Sequence, residues 1–145
     1  MRSRIPVFLF IAGLFSGCLS DKPGGENDSE VYKVSLVCES RSGSTEETPA
    51  AGVFAIVNAN KTKIANVSVC DSLTTANFQD LAIPQDALTA VGGWWAGSGD
   101  YFYARRGEEN EILFYHGAID EMSETPSPDY QVIATFSNGK FYFPE

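Results

Sequence analysis

The segment YFYARRGEENEILFYHG, residues 101–117, decides the fold class. Two short runs rich in aromatic and branched side chains, YFYARR and EILFYHG, flank the polar GEEN, and neither shows a sustained helical period. Such residues suit a pleated, half-buried surface, and a connection this short pairs two strands antiparallel. The stretch predicts a hairpin with an acidic loop.

The pattern repeats outward in both directions. Towards the C-terminus, DYQVIATF and KFYF flank SNG, and Asn138-Gly139 suits a turn that needs positive φ. The intervening AIDEMSETPSP reads as a loop by its prolines and charges. Towards the N-terminus, Tyr32, Val34, Leu36 and Cys38 alternate with Lys33 and Ser35, the signature of a strand with one buried side. ESRSGSTEETPAAG follows as a surface loop, and VFAIVN and IANVSVC read as strands around the turn NANKT. Val67 and Val69 share a face that Cys70 does not, which places Cys70 at a strand end or beside a bulge. The segment DSLTTANFQDLAIPQDALTAVGG is the least patterned, and Pro84 is expected to open a short helical turn through Asp86, Ala87 and Leu88. About seven strands result, so residues 31–145 are expected to form one all-β domain, a small antiparallel barrel or sandwich.

Composition narrows the range of functions. The 145 residues include 43% hydrophobic and 12% aromatic side chains, enough for one packed core. Nineteen acidic side chains against ten basic ones give a formal charge of −9. A chain this acidic is repelled by phosphate backbones, which argues against nucleic acid as a partner. A basic protein or a neutral glycan remains compatible, and so does acidity that serves solubility alone.

The N-terminus, MRSRIPVFLFIAGLFSGC, has two arginines, an apolar stretch from Ile5 to Phe15 and a small-residue close at Ser16 and Gly17. This is the layout of a secretory signal peptide, residues 1–17, and its apolar stretch is well short of the roughly 20 residues that span a bilayer. Removing Arg2 and Arg4 with it leaves eight basic against nineteen acidic side chains, a charge of −11. The run Leu14-Phe15-Ser16-Gly17-Cys18 resembles the lipobox of bacterial lipoproteins, departing at Phe15, where an aliphatic residue is usual. The resemblance implies that Cys18 is lipidated and becomes the mature N-terminus, anchoring the chain to a membrane. Leu19 in place of aspartate favours the outer membrane where a cell has two. Residues 18–30, which include the polar SDKPGGENDSE, then form the lipidated end and a flexible tether. Once Cys18 is set aside, Cys38 and Cys70 remain as an even pair in an oxidising compartment, either bridged or as two buried thiols.

Candidate ligand-binding residues concentrate in GGWWAGSGDYFYARR, residues 92–106. Trp94, Trp95, Tyr101 and Tyr103, with Phe102 and with Tyr115 across the hairpin, offer flat faces on which a sugar ring can stack, while Asp100 and Arg105 supply hydrogen bonds. The competing reading is that these aromatics are core and rim. Adjacent tryptophans on a strand point to opposite faces, so one at least is expected at the surface. Gly92, Gly93, Gly97 and Gly99 lack the lysine-serine ending of a phosphate loop and read instead as barrel-corner turns. His116 is the one histidine, which rules out a multi-histidine zinc site, and Ser98 lacks the spacing of a nucleophile elbow. Asp120, Glu121 and Glu124 share a loop without the spacing of a calcium loop, and the sequons at Asn27, Asn60 and Asn66 matter only in a eukaryotic secretory route. No catalytic residue, metal or cofactor is expected, and the chain reads as a binding or structural module.

The early cysteine after a strand, the lipobox and AGSGDYFY together resemble, over about a dozen residues, the membrane-bound inhibitors of c-type lysozyme. The resemblance implies a β-barrel lipoprotein in which Ser98 enters the cleft of a basic lysozyme. A lysine that the family places farther on has no counterpart here, and His116 lies nearest to it by pattern.

Overall fold

The computed structural model describes residues 31–124 and 127–145. Cys18, the leader and the tether lie outside the described residues. The domain is a sandwich of two antiparallel sheets. One has three strands, β1 (Val34–Ser40), β2 (Ala51–Val57) and β3 (Asn60–Val67). The other runs in sequence order through β4 (Asp71–Ser72), β5 (Thr89–Trp95), β6 (Ser98–Arg106), β7 (Ile112–Asp120), β8 (Gln131–Ser137) and β9 (Lys140–Tyr142). The barrel alternative falls, because no strand of one sheet forms a ladder with a strand of the other.

Three connections are two-residue turns with both residues at positive φ, a backbone twist that matches the strands they join. They are Asn58-Ala59 (49° and 72°), Ala96-Gly97 (52° and 88°) and the expected Asn138-Gly139 (52° and 79°). The turn placed at NANKT is therefore shorter than read, since Asn60, Lys61 and Thr62 already belong to β3. Two strands are additional to the seven, the short β4 and the whole of β5. The single helix among the described residues also lies earlier than Pro84. It is α1 (Thr75–Phe78), where the Asn77 side chain accepts a hydrogen bond from the Thr74 N–H at 3.1 Å. Pro84 opens only a turn, closed by the Ala87 N–H donating to its carbonyl.

Strand alternation builds the core. Leu36, Val53, Ala55, Val57 and Val67 of the small sheet meet Val91, Phe102, Ala104, Ile112, Phe114, Ala134 and Phe136 of the large one. All are buried below a tenth of their surface, and Val53, Ala104, Ile112 and Phe114 fully. Cys38 in β1 is bridged to Cys70, just before β4, with Cα atoms 5.9 Å apart. The bridge settles the two alternatives for these cysteines and ties the two sheets together. Cys70 follows the end of β3, as its parity required. The Leu36 N–H donates to the Thr89 hydroxyl at 3.2 Å, a second link from β1 to β5.

The opposite face of the large sheet has its own smaller core. Phe78 of α1 and Ile83 cover Ala90 and Tyr103, with Tyr115 and Tyr130 packed alongside. Tyr103 stacks on Tyr115 at 4.6 Å and meets Tyr130 edge-on at 4.9 Å, while the Tyr130 hydroxyl donates to the Leu81 carbonyl at 2.8 Å. Burial pushes the phenols of Tyr101, Tyr103 and Tyr130 above their ordinary 10.0, Tyr130 furthest, aided by the nearby Tyr103 and Tyr101. Raised folded values mean that the unfolded chain loses these protons first as pH rises. Stability should hold below pH 10 and decline above it, towards the higher folded values. Thermal unfolding followed between about pH 8 and 11.5 checks this, and Tyr130→Phe should flatten the alkaline decline.

Candidate functional site

The register of β5, β6 and β7 sorts the sequence candidates onto two faces. On the face turned to the small sheet, successive cross-strand rows are Trp95–Ser98–Asp120, Gly93–Asp100–Ala118 and Val91–Phe102–His116. On the other face they are Trp94–Gly99–Ile119, Gly92–Tyr101–Gly117 and Ala90–Tyr103–Tyr115. Trp95, Ser98, Asp100 and His116 thus share one face, and Trp94, Tyr101, Tyr103 and Tyr115 share the face behind them. Arg105 lies at the far end of β6, its Nε 3.1 Å from Asp86 in an exposed ion pair. It does not join Asp100.

Burial separates the aromatics by role. Phe102 is 1% exposed, Tyr103 6% and Tyr101 8%, so all three are core. Trp94 and Trp95, by contrast, are 48% and 39% exposed, both of them and not only one. They end β5 beside the Ala96-Gly97 turn, so parity sends them to opposite faces at a place where neither face is fully covered. This tip is braced, because the Glu121 N–H donates to the Gly97 carbonyl at 2.8 Å and joins the end of β7 to the turn. Met122, also exposed, follows directly.

Gly92 and Gly99 are sockets for aromatic rings, Gly93 admits a close backbone, and of the four only Gly97 forms a turn. A methyl group on Gly99 would meet the Trp94 ring at 2.8 Å and the Tyr101 hydroxyl at 2.7 Å. One on Gly92 would strike the Tyr101 ring and the Asp100 carbonyl, and one on Gly93 would sit 2.9 Å from the Val69 carbonyl. The barrel-corner reading of Gly92, Gly93 and Gly99 is therefore replaced by close packing inside strands. Glycine weakens a strand on its own, and here aromatic rings fill the space at Gly92 and Gly99 while the Val69–Cys70 backbone fills it at Gly93.

Asp100 and His116 form the one polar pair in the centre of the inner face. His116 Nε2 and Asp100 Oδ1 are 2.8 Å apart, each side chain about one-third exposed. The imidazole stacks on Phe102 at 4.6 Å with the rings 23° apart, so the core fixes its plane. Ser98 lies two rows away on this face, about 13 Å along the strand, so serine and histidine do not form a nucleophile–base pair. Among the described residues no group of three His, Cys, Asp or Glu side chains is placed to hold a metal ion.

Above the His116 row this face is covered only in part, by the Val69–Cys70 segment that lies over Gly93. Trp95, Ser98, Ala118 and Asp120 are exposed, while Gly93 and Asp100 are half-buried. The floor is small side chains, and its walls are an indole and two carboxylates. Asp120 Oδ1 accepts the Met122 N–H at 2.8 Å, which orients its carboxylate. Two cavities lie elsewhere, of about 470 Å³ beside the disulfide and about 520 Å³ between Tyr32, Ile56 and Leu88. Neither is lined by any of the candidate ligand-binding residues. The inner-face ledge is the better candidate because it alone combines an exposed aromatic plane with oriented polar groups. No family model matches the chain, and no curated protein or solved structure matches it.

Proposed function

We propose that the chain is a lipid-anchored lipoprotein of the bacterial envelope whose β-domain acts without catalysis as a binding module, meeting its partner with the sheet end that carries Trp94 and Trp95. The observation that carries this reading is the exposure of both tryptophans on a braced hairpin tip. Tryptophan is costly to leave in water and is enriched where binding energy concentrates. The anchor rests on the leader and on Cys18, and its place in the outer membrane on Leu19. Two or more acyl chains give stable attachment where one does not, so a lipidated Cys18 would hold the domain at a surface. Cys18→Ser should abolish lipid labelling and release the chain from the membrane fraction; if both persist, the anchor is wrong.

A second reading is favoured by the row Trp95–Ser98–Asp120, in which a sugar ring stacks on the indole and hydrogen-bonds to the hydroxyl and carboxylate. Binding on a glycan array that disappears in Trp95→Ala would support it, and no binding to any glycan would remove it. The narrower proposal, inhibition of a basic lysozyme with Ser98 in its cleft, falls if micromolar excess leaves lysozyme activity unchanged.

A further inference from the structure

We infer that the inner-face ledge grips a cationic side chain, arginine above all, presented by a basic protein partner. This rests on the reading of the tryptophan-bearing end as the contact surface, and names what it contacts. Trp95, Asp100 and Asp120 stand at the corners of a triangle around Ser98. From the register, Trp95 and Asp120 are two strands apart, about 10 Å, and each is diagonal to Asp100 at about 8 Å. The floor between them is Ser98, with Ala118 on one side of Asp100 and, on the other, Gly93 lying under the Val69–Cys70 backbone. A planar guanidinium laid on that floor stacks on the indole and reaches both carboxylates. Arginine favours this combination of an aromatic face and acceptors in a fork.

Charge around the ledge favours a cation over a neutral ligand. From Ile64 to Gly139 the chain has only two basic residues besides His116, Arg105 and Arg106, and both lie at the opposite end of β6. Asp100, Asp120, Glu121 and Glu124 lie at or just beyond the ledge end of their strands. No lysine or arginine of β5, β6 or β7 stands among these carboxylates, and an acidic end of this kind attracts and orients a basic partner. The Asp100 carboxylate shares one oxygen with His116, and Asp120 shares one with the Met122 N–H, which leaves each with a second oxygen to offer. Residues 20–30 are no match for the ledge, since Asp21, Glu26, Asp28 and Glu30 outnumber Lys22.

The two tryptophans are the only ones in the chain, so intrinsic tryptophan emission reports on this end alone. The full chain bearing Cys18→Ser would be titrated with a glycine-spaced triarginine peptide and, separately, with a neutral N-acetylglucosamine oligomer. The arginine peptide should shift the emission saturably, and its affinity should fall several-fold when salt rises from about 50 to about 500 mM. Asp100→Asn with Asp120→Asn should weaken it about tenfold. Glu108→Gln with Glu109→Gln removes the same charge at the opposite end of the sheet and should change it less than about twofold. Equal weakening by the two pairs would mean a general field and would overturn the inference. A shift with the sugar but not the peptide would overturn the cationic ligand and leave the contact surface standing. No shift with either would sink both.

Discussion

Removing the Cys38–Cys70 bridge by Cys38→Ala with Cys70→Ala is expected to lower the unfolding free energy by about 4 kcal/mol. The two cysteines are 32 residues apart in sequence, and closing a loop of that size restricts the unfolded chain by this amount in the chain-entropy account. The enclosed segment is most of the small sheet, β2 and β3, so the bridge fastens the element that completes the core. A net stability of about 5 to 15 kcal/mol is usual for a domain, so much of the margin would go. Denaturant unfolding of the variant and the parent chain, in matched buffer, measures the difference. A change under about 1 kcal/mol would show that packing alone holds the sheets together.

Phe102→Ala is expected to cost about 3 to 5 kcal/mol, the range for truncating a buried aromatic ring and leaving a cavity. Phe102 stands between the two parts of the molecule that matter here. Its ring fills the core between the sheets, and His116 stacks on it while pairing with Asp100. The substitution should therefore loosen the floor of the ledge as well as the core. If the alanine variant does not fold, Phe102→Leu should retain the fold at a cost of about 1 to 2 kcal/mol. Chemical unfolding gives the energy, and the His116 ring resonances report whether the imidazole still holds one position. An alanine variant that unfolds like the parent would contradict the assigned packing.

Local chemistry made some of this structure legible in the sequence. The β6–β7 hairpin follows from YFYARR and EILFYHG, because aromatic and branched residues identify strands wherever they occur in runs. The turn at Asn138-Gly139 follows from the positive φ that both residues tolerate. β5 was harder to see because its residues are TAVGGWW, with two glycines where a strand normally shows side chains. The rings that complete it, such as Tyr101 over Gly92, come from its neighbour, and no window along β5 contains them. Pro84 is a weaker helix signal than Thr74 and Asn77, a capping pair in which asparagine takes the place of the usual glutamate or glutamine.

The candidate site shows the same division. Parity was enough to send Trp94 and Trp95 to opposite faces, but their exposure depends on how far the small sheet extends, which is a tertiary fact. It also depends on β5 ending at a turn directly beyond them. Read as a single aromatic platform, Trp94, Trp95, Tyr101 and Tyr103 separate into two exposed rings and two buried ones. Asp100 and Arg105 looked like joint sugar ligands by proximity in sequence; the strand carries them to opposite faces, and each has its own partner.

Oxidative footprinting tests the central proposal, that the tryptophan-bearing end is the contact surface, most directly. The lipid-anchored protein in its native envelope and the purified chain would be exposed to the same dose of hydroxyl radical. Modification of Trp94, Trp95 and Met122 would then be compared with that of Tyr142 and Phe143, which are about half exposed at the β9 end. Strong modification of the two tryptophans is expected in the purified chain, with selective protection of them in the envelope and equal modification of Tyr142 and Phe143 in both. Equal modification of Trp94 and Trp95 in the two settings, or protection confined to Tyr142 and Phe143, would contradict the proposal.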